Sequence, residues 1–380
     1  MTETDSFHIL QVVASLHGGA AQHVLLLSRG LQKQGFRVTV AAPADYQNLV
    51  QHFSQHEIPV AEHPLHLKNP LPAILSLRKF ISAGNFSHVH VHGHRAAFVT
   101  RLAQILHNTV PLIYTVHGYH PPFYTNPCSR LIVNLLEKLL ARWTDTFICV
   151  SESTRSLLTA AVPSSRNKNV VIGNAVESYS LNTQEKQNLR RQIRAEFSLP
   201  MTGVVIGTVA RLQWQKGIDR LLKAFALLSP DIPELYLLLV GDGPEQAALQ
   251  ALSQELAVQY KVRFAGARHD VRNFYHAMDV FVLPSLWEGM PLTILEAWDS
   301  EVPVIATNVP GSRELIDHAE NGLLAENSTG GLAQTLKIWL SQPDSWKHLL
   351  RNGKNSILQE HSLDRMIAQT IRLYQNLKNQ

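Results

Sequence analysis

Cysteine is nearly absent: Cys128 and Cys149 are the only two in 380 residues, too few for a disulfide framework or for a four-ligand zinc site of thiolates. A reducing compartment, the cytoplasm, is expected. Long apolar runs are missing as well. No stretch reaches the roughly 18 residues a spanning helix needs, and the longest, such as 235–240, have the length of buried strands. Residues 1–8 are polar and acidic ahead of the first apolar run, which is not the build of a secretory signal. With 45% hydrophobic and 17% charged residues and no low-complexity segment, extended disorder is excluded.

The charge is unevenly placed. Residues 1–170 carry 14 Lys/Arg against 8 Asp/Glu and hold 14 of the 19 histidines, whereas the remainder carries 20 against 22. That bias either draws an anionic partner to the first half, such as a lipid-linked phosphate or an anionic membrane surface, or is an ordinary solvated basic face. No nucleic-acid partner is expected.

A chain of this length exceeds what one core usually organises, so two domains are expected. Short β-branched runs alternate with longer amphipathic segments, first from Phe7 through Phe147 and again from Val204 to Thr307. Each series reads as β-α-β units on a parallel sheet. The expected fold is therefore α/β, with two Rossmann-like, doubly wound parallel-sheet domains facing a central cleft. Residues 1–175 are expected to form the first domain, 176–200 a polar linker and 201–360 the second. Residues 361–380 form a final helix packing back toward the first domain. Ligands of such sheets bind outside the carboxyl ends of the strands.

The motifs lie at those ends. The segment SLWEGMPLTILEAW (285–298) follows an apolar strand. Pro291 reads as the first helical residue, with Glu288 in the loop before it. The backbone amides of Met290, Leu292 and Thr293 form a helix N-terminus suited to phosphate, and Glu296 stands one turn further on, able to accept from two vicinal ribose hydroxyls. The plainer reading makes Glu288 a solvated loop residue and Glu296 a helix-surface charge. VARLQWQKG (209–217) sets Arg211 and Lys216 where a strand opens into a helix. They are either two surface cations or the fork and point charge that suit a diphosphate.

Gly18 and Gly19 follow the first strand, where glycine lets backbone approach a ligand or simply makes a tight turn; the helix is expected from near Ala20, and no G-x-G-x-x-G stands at Gly18. His117 ends another strand and is either structural or a donor to a sugar hydroxyl. Gly241, in LVGDGPE, and the similar FAGARHD would wall a base-binding slot or make ordinary turns. His88, His90, His92 and His94 alternate and so point to one face of a strand, where they are either structural or a metal site, but such a site usually needs a supporting carboxylate and no metal is assigned. Glu314 reads as a helix N-terminal charge capped by Ser312. The amphipathic helix 129–143 either packs its apolar face on the first sheet or rests on an anionic membrane, with Arg130, Lys138, Arg142 and Trp143 at its flanks.

Taken together these segments resemble the retaining glycosyltransferases of family 4, which have the GT-B fold. The resemblance runs from residue 9 to 357 and is strongest over 208–316, where ARLQWQKG, VGDGPE, VFVLPSLWEGMPLTILEA and PVIATNVPGSREL occur in the family's order and spacing. HGG (17–19) and TVHG (115–118) match the looser first-domain pattern. The resemblance implies that Arg211 and Lys216 hold the donor diphosphate, Glu288 contacts the transferred sugar and Glu296 binds the ribose, while Gly19 touches the phosphates and His117 the sugar. Ala175 departs from the Asn-Gly usual in the family's hinge segment.

The implied activity is hexosyl transfer from a UDP- or GDP-sugar to a saccharide, lipid-linked or small-molecule acceptor, in cell-surface polysaccharide or glycoconjugate synthesis, at the inner face of the membrane or free in the cytoplasm. No carboxylate pair is placed for a covalent intermediate, so front-face substitution is expected, with the protein's cations standing in for a metal and no cofactor. The rival readings are a nucleotide-sugar epimerase of the same fold and a noncatalytic saccharide-binding subunit.

Overall fold

The computed structural model describes residues 7–14, 18–43, 53–65, 70–105, 110–119 and 127–378. The chain divides into two compact units, one comprising residues 1–175 with 363–380 and the other 176–362. Each has one parallel sheet.

In the first unit the strands are β1 (His8–Val13), β2 (Arg37–Ala42), β3 (Val60–Glu62), β4 (His88–His92), β5 (Leu112–Val116), β6 (Thr146–Cys149) and β7 (Asn169–Val171). They lie in the order β3-β2-β1-β4-β5-β6-β7. In the second unit they are β8 (Val204–Val209), β9 (Leu235–Val240), β10 (Val262–Gly266), β11 (Val280–Leu283), β12 (Val304–Thr307) and β13 (Leu323–Ala325), in the order β10-β9-β8-β11-β12-β13. All described pairings between these strands are parallel. Parallel strands need crossover helices, which cover both faces of the sheet, and this is why β9 and β11 read as nearly unbroken apolar runs, whereas β4 in the first sheet alternates as HVHVH. In both sheets the order reverses beside the first strand, between β1 and β4 and between β8 and β11, and the crevice at the carboxyl ends there is where ligands of this architecture bind.

The stretch 176–200 folds into the second unit. Asn182 caps the helix Thr183–Glu196 through a reciprocal capping box with Glu185, at 3.0 and 2.8 Å. The helix is pinned mainly by charge: fully buried Arg194 donates to the carbonyls of Ala277, Pro200 and Gly203 and pairs with Asp279 at 2.7 Å. The final helix, Leu363–Lys378, belongs to the first unit and buries Met366, Ile367, Thr370 and Tyr374. Gly30 sits beneath it, where any Cβ would collide with the Ile367 side chain. The Tyr374 hydroxyl reaches the sheet itself, 2.7 Å from His90 Nδ1.

The helix Pro127–Leu140 does not bury its apolar face. Leu131, Ile132, Leu135 and Leu139 are exposed, and the helix is anchored instead by Leu140 and by Glu137, which accepts from buried Arg101 at 2.7 Å. The Arg130 side chain lies outside the described residues. Among the described residues no helix is long and apolar enough to cross a membrane.

Candidate active site

In the second unit the loop after β8 and the loop after β11 are joined at the switch point. The amide of Leu286 donates to the Gln215 carbonyl at 2.8 Å, the Gln215 side chain donates to the Trp287 carbonyl at 3.1 Å, and the indoles of Trp214 and Trp287 meet edge to face. Gly217, at φ 61°, closes the turn against Pro284, whose carbonyl oxygen occupies the place a Cβ would need. This joinery brings the Lys216 ammonium 2.6 Å from Oε1 of Glu288, which also accepts from the Ser285 hydroxyl at 2.6 Å. Glu288 is buried, not a solvated loop residue. Arg211 is exposed and has no ion-pair or hydrogen-bond partner for its guanidinium among the described residues. Gly241 closes the neighbouring turn, with the Ala210 carbonyl packed where a side chain would stand.

The helix after Glu288 runs Leu292–Asp299, so Pro291 is its N-cap and not its first helical residue. Proline has no side-chain acceptor, and no side-chain cap closes this end; the Leu292 and Thr293 amides are therefore among the orphan donors of the first turn. Met290 lies ahead of the helix. Glu296 is half-buried and accepts from the Tyr275 hydroxyl at 2.9 Å, so it is not a helix-surface charge. Burial raises its carboxyl pKa above the usual glutamate range, against the pull of the Tyr275 hydroxyl and Arg272. Arg272 is held by the Glu177 carbonyl and by Asp299. Asp299 also accepts from Ser178 and the Tyr179 amide and pairs with Lys354 at 3.2 Å. It ties the helix Leu292–Asp299 to the segment at 178–179 and to Lys354. Ser312 and Glu314 differ from expectation: the short helix is Pro310–Arg313, with Ser312 inside it and Glu314 following its end.

In the first unit the described turn after β1 presents Gly18, in the left-handed region at φ 74°, and Gly19, which begins the helix Gly19–Lys33. Both are exposed, and this helix end also lacks a side-chain cap. His17 lies outside the described residues. His117 follows β5 at the same sheet edge, its Nε2 3.2 Å from Nδ1 of His92 at the end of β4. Burial lowers both imidazoles well below the ordinary value, and neighbouring histidines add to the effect. Of the alternating histidines, His88, His90 and His92 lie in β4 and His94 begins the next helix. His90 has both ring nitrogens engaged, by Tyr374 and by Thr115 at 2.6 Å.

Sequence reasoning did not single out Ser285, Tyr275, Asp299 or His23. His23 carried a usable signal, since it precedes Leu27 and Leu31 by four and eight residues and so shares the buried apolar face of its helix. The others come from separate segments brought together only by tertiary packing.

A family model described as glycosyl transferases group 1 matches residues 189–356, and one described as glycosyltransferase family 4 matches residues 17–178. The chain is 28% identical over 273 residues, 71% of its own length and 70% of the other's, to the UDP-Gal:alpha-D-GlcNAc-diphosphoundecaprenol alpha-1,3-galactosyltransferase of Escherichia coli. It is 27% identical over 336 residues, 86% of each chain, to the putative glycosyltransferase EpsD of Bacillus subtilis. Anabaena HepE, solved in complex with UDP and glucose, aligns with a TM-score of 0.84 at 22% identity, covering 97% of this chain and 100% of the other. These parallel-sheet units are those of the GT-B glycosyltransferases.

Proposed function

The chain belongs to glycosyltransferase family 4 and is a transferase, and we propose that it moves a hexose from a UDP- or GDP-sugar to a saccharide or lipid-linked acceptor with retention of configuration. The observation that carries this reading is the Lys216–Glu288 pair beside an uncapped helix end at the switch point of the second sheet. Arg211 supplies a guanidinium without a partner among the described residues, Lys216 an ammonium already oriented by Glu288, and Leu292 and Thr293 supply backbone donors. All are suited to a diphosphate whose negative charge grows as its bond to the sugar breaks. Gly241 sits at the turn that would flank the base, and Glu296 takes the ribose hydroxyls. Gly18 and Gly19 offer backbone donors to phosphate, and His117 hydrogen-bonds a sugar hydroxyl.

In the transfer step the acceptor hydroxyl oxygen bonds to the anomeric carbon on the face that the diphosphate oxygen leaves, and the departing oxygen takes up the acceptor's proton. Protein cations hold the leaving group, so transfer proceeds without a divalent metal or a cofactor. The Escherichia coli relative's name specifies a diphosphoundecaprenol-linked sugar as its acceptor, which supports a lipid-linked acceptor and a place in cell-surface polysaccharide synthesis here. The exposed Leu131, Ile132, Leu135 and Leu139 stripe, with Lys138 and Arg142 beside it, fits an interfacial helix on an anionic bilayer.

The test is a panel of nucleotide sugars scored by ligand-induced thermal stabilisation, followed by transfer with chelator present and assignment of the product's anomeric configuration by NMR. An inverted product rules out the front-face step, loss of transfer in chelator rules out metal independence, and a new sugar isomer formed without acceptor makes the chain an epimerase. Failure to float with anionic vesicles removes the membrane contact.

A further inference from the structure

Three histidines from three separate elements converge at the carboxyl edge of the first sheet. His23 comes from the second turn of the helix Gly19–Lys33, His92 is the last residue of β4, and His117 follows β5. One ligating nitrogen from each lies within 4.8 Å of the others. The His92 Nδ1 to His117 Nε2 separation is 3.2 Å, close to the roughly 3.4 Å between two nitrogens that share a tetrahedral zinc ion at about 2.05 Å.

The far side of the cluster determines which nitrogens are available. His23 Nδ1 lies 3.1 Å from Asn174 Oδ1, and His92 Nε2 lies 2.6 Å from Gln11 Oε1. An amide oxygen only accepts, so both of these ring nitrogens carry the hydrogen, and the lone pairs are left on His23 Nε2 and His92 Nδ1. Fixing the outer N–H of an imidazole on an oxygen is how proteins orient a histidine for a metal. The Gln11 amide is itself held, since its nitrogen donates to Tyr374 Oη at 3.4 Å. Because His92 Nδ1 is a lone pair, His117 Nε2–H donates to it when no cation is present. Moving that proton to His117 Nδ1 gives a neutral tautomer whose Nε2 is free to ligate, with no net change in protonation. His90 is excluded from ligation because Tyr374 and Thr115 occupy both its nitrogens.

We propose that His23, His92 and His117 form a site for a borderline divalent transition-metal ion, zinc foremost, and that filling it withdraws His117 from the sugar and inhibits transfer. Three neutral imidazoles suit zinc or cobalt far better than magnesium or calcium, which prefer oxygen ligands. The inhibitory half rests on the donor reading above; the metal site does not.

Metal-stripped protein is titrated with Co²⁺. The expected result is one equivalent bound with the visible bands of a low-coordinate cobalt centre, displaced by one equivalent of Zn²⁺, and three imidazole ligands by X-ray absorption at the zinc edge of the wild-type protein. His23→Gln and His117→Gln lose the bands, while His269→Gln, an exposed residue of the second unit, keeps them. Asn174→Ala weakens zinc binding about 10- to 100-fold. Absence of bands in the wild type, or bands retained in both cluster variants, overturns the site. Zinc bound through three imidazoles with transfer unchanged overturns the inhibition. The cobalt titration needs no substrate, so a protein that transfers no sugar at all leaves this result standing and counts only against the donor reading.

Discussion

The Lys216 ammonium lies 2.6 Å from Oε1 of Glu288, and the Ser285 hydroxyl donates to the same oxygen. The pair links the loop after the first strand of the second sheet to the loop after the strand beside it. A buried carboxylate is thereby neutralised, and a flexible four-carbon side chain is held in one orientation before any ligand arrives.

Lys216→Ala should therefore act twice. It leaves Glu288 buried with the Ser285 hydroxyl as its one remaining side-chain partner among the described residues, which costs about 1–3 kcal/mol of stability, and on the proposed role it removes a donor to the leaving group, which lowers kcat by about 100- to 1,000-fold. Thermal melts and steady-state transfer read the two effects. A variant that melts like wild type and turns over normally shows that the ammonium serves neither purpose.

Gly217→Ala tests the joinery behind that pair. The residue sits at φ 61° and has no room for a Cβ beside the Pro284 carbonyl. Strain of about 1–3 kcal/mol is expected, and Lys216, its neighbour in sequence, should shift away from Glu288. Reduced donor affinity together with a lower Tm is the outcome expected; unchanged values for both contradict the assignment.

Glu296 gives a pH dependence with two opposite signs. Its pKa is raised in the folded protein, so its contribution to stability is full below the usual glutamate value and is lost as pH rises through the raised one. On the proposed ribose role, donor affinity runs the other way, because only the ionised carboxylate could accept from both ribose hydroxyls. Calorimetric titration of the nucleoside diphosphate across the acidic range should show affinity rising with pH in the wild type, and weak, flat binding for Glu296→Gln. A wild-type profile that matches the variant's removes Glu296 from the ribose.

Tyr374 measures how firmly the last helix holds the first sheet. Its hydroxyl meets His90 at 2.7 Å in a site with no solvent access, so Tyr374→Phe leaves His90 Nδ1 without that partner and should cost about 1–3 kcal/mol. Chemical denaturation provides the value. A change below the error of the measurement means the ring alone supplies the anchoring.

Much of this was legible from periodicity and turn chemistry. The unbroken apolar runs at 235–240 and 280–283 indicated parallel strands covered on both faces, and the Gly, Pro and charged residues just after them marked the carboxyl edge of the sheet. Other features were hidden by the nature of their cause. The stretch 176–200 has the polar composition of a linker, yet Arg194 buries its guanidinium among four carbonyls and Asp279, contacts that no composition reports. The helix Pro127–Leu140 shows a stripe whose periodicity is the same whether a sheet or solvent faces it. Arg211 and Lys216 stand in one motif as a fork and a point charge; only the fold shows that the ammonium is paired with Glu288 while the guanidinium has no partner among the described residues.

That distinction provides the most direct measurement. Arg211 is exposed with no protein partner among the described residues, so Arg211→Ala should leave the unliganded stability within about 0.5 kcal/mol of wild type. Calorimetric titration with UDP and with GDP should show that whichever nucleotide the wild type binds is bound at least tenfold more weakly by the variant. Equal affinity in the two proteins would contradict the claim that this edge of the second sheet holds a diphosphate.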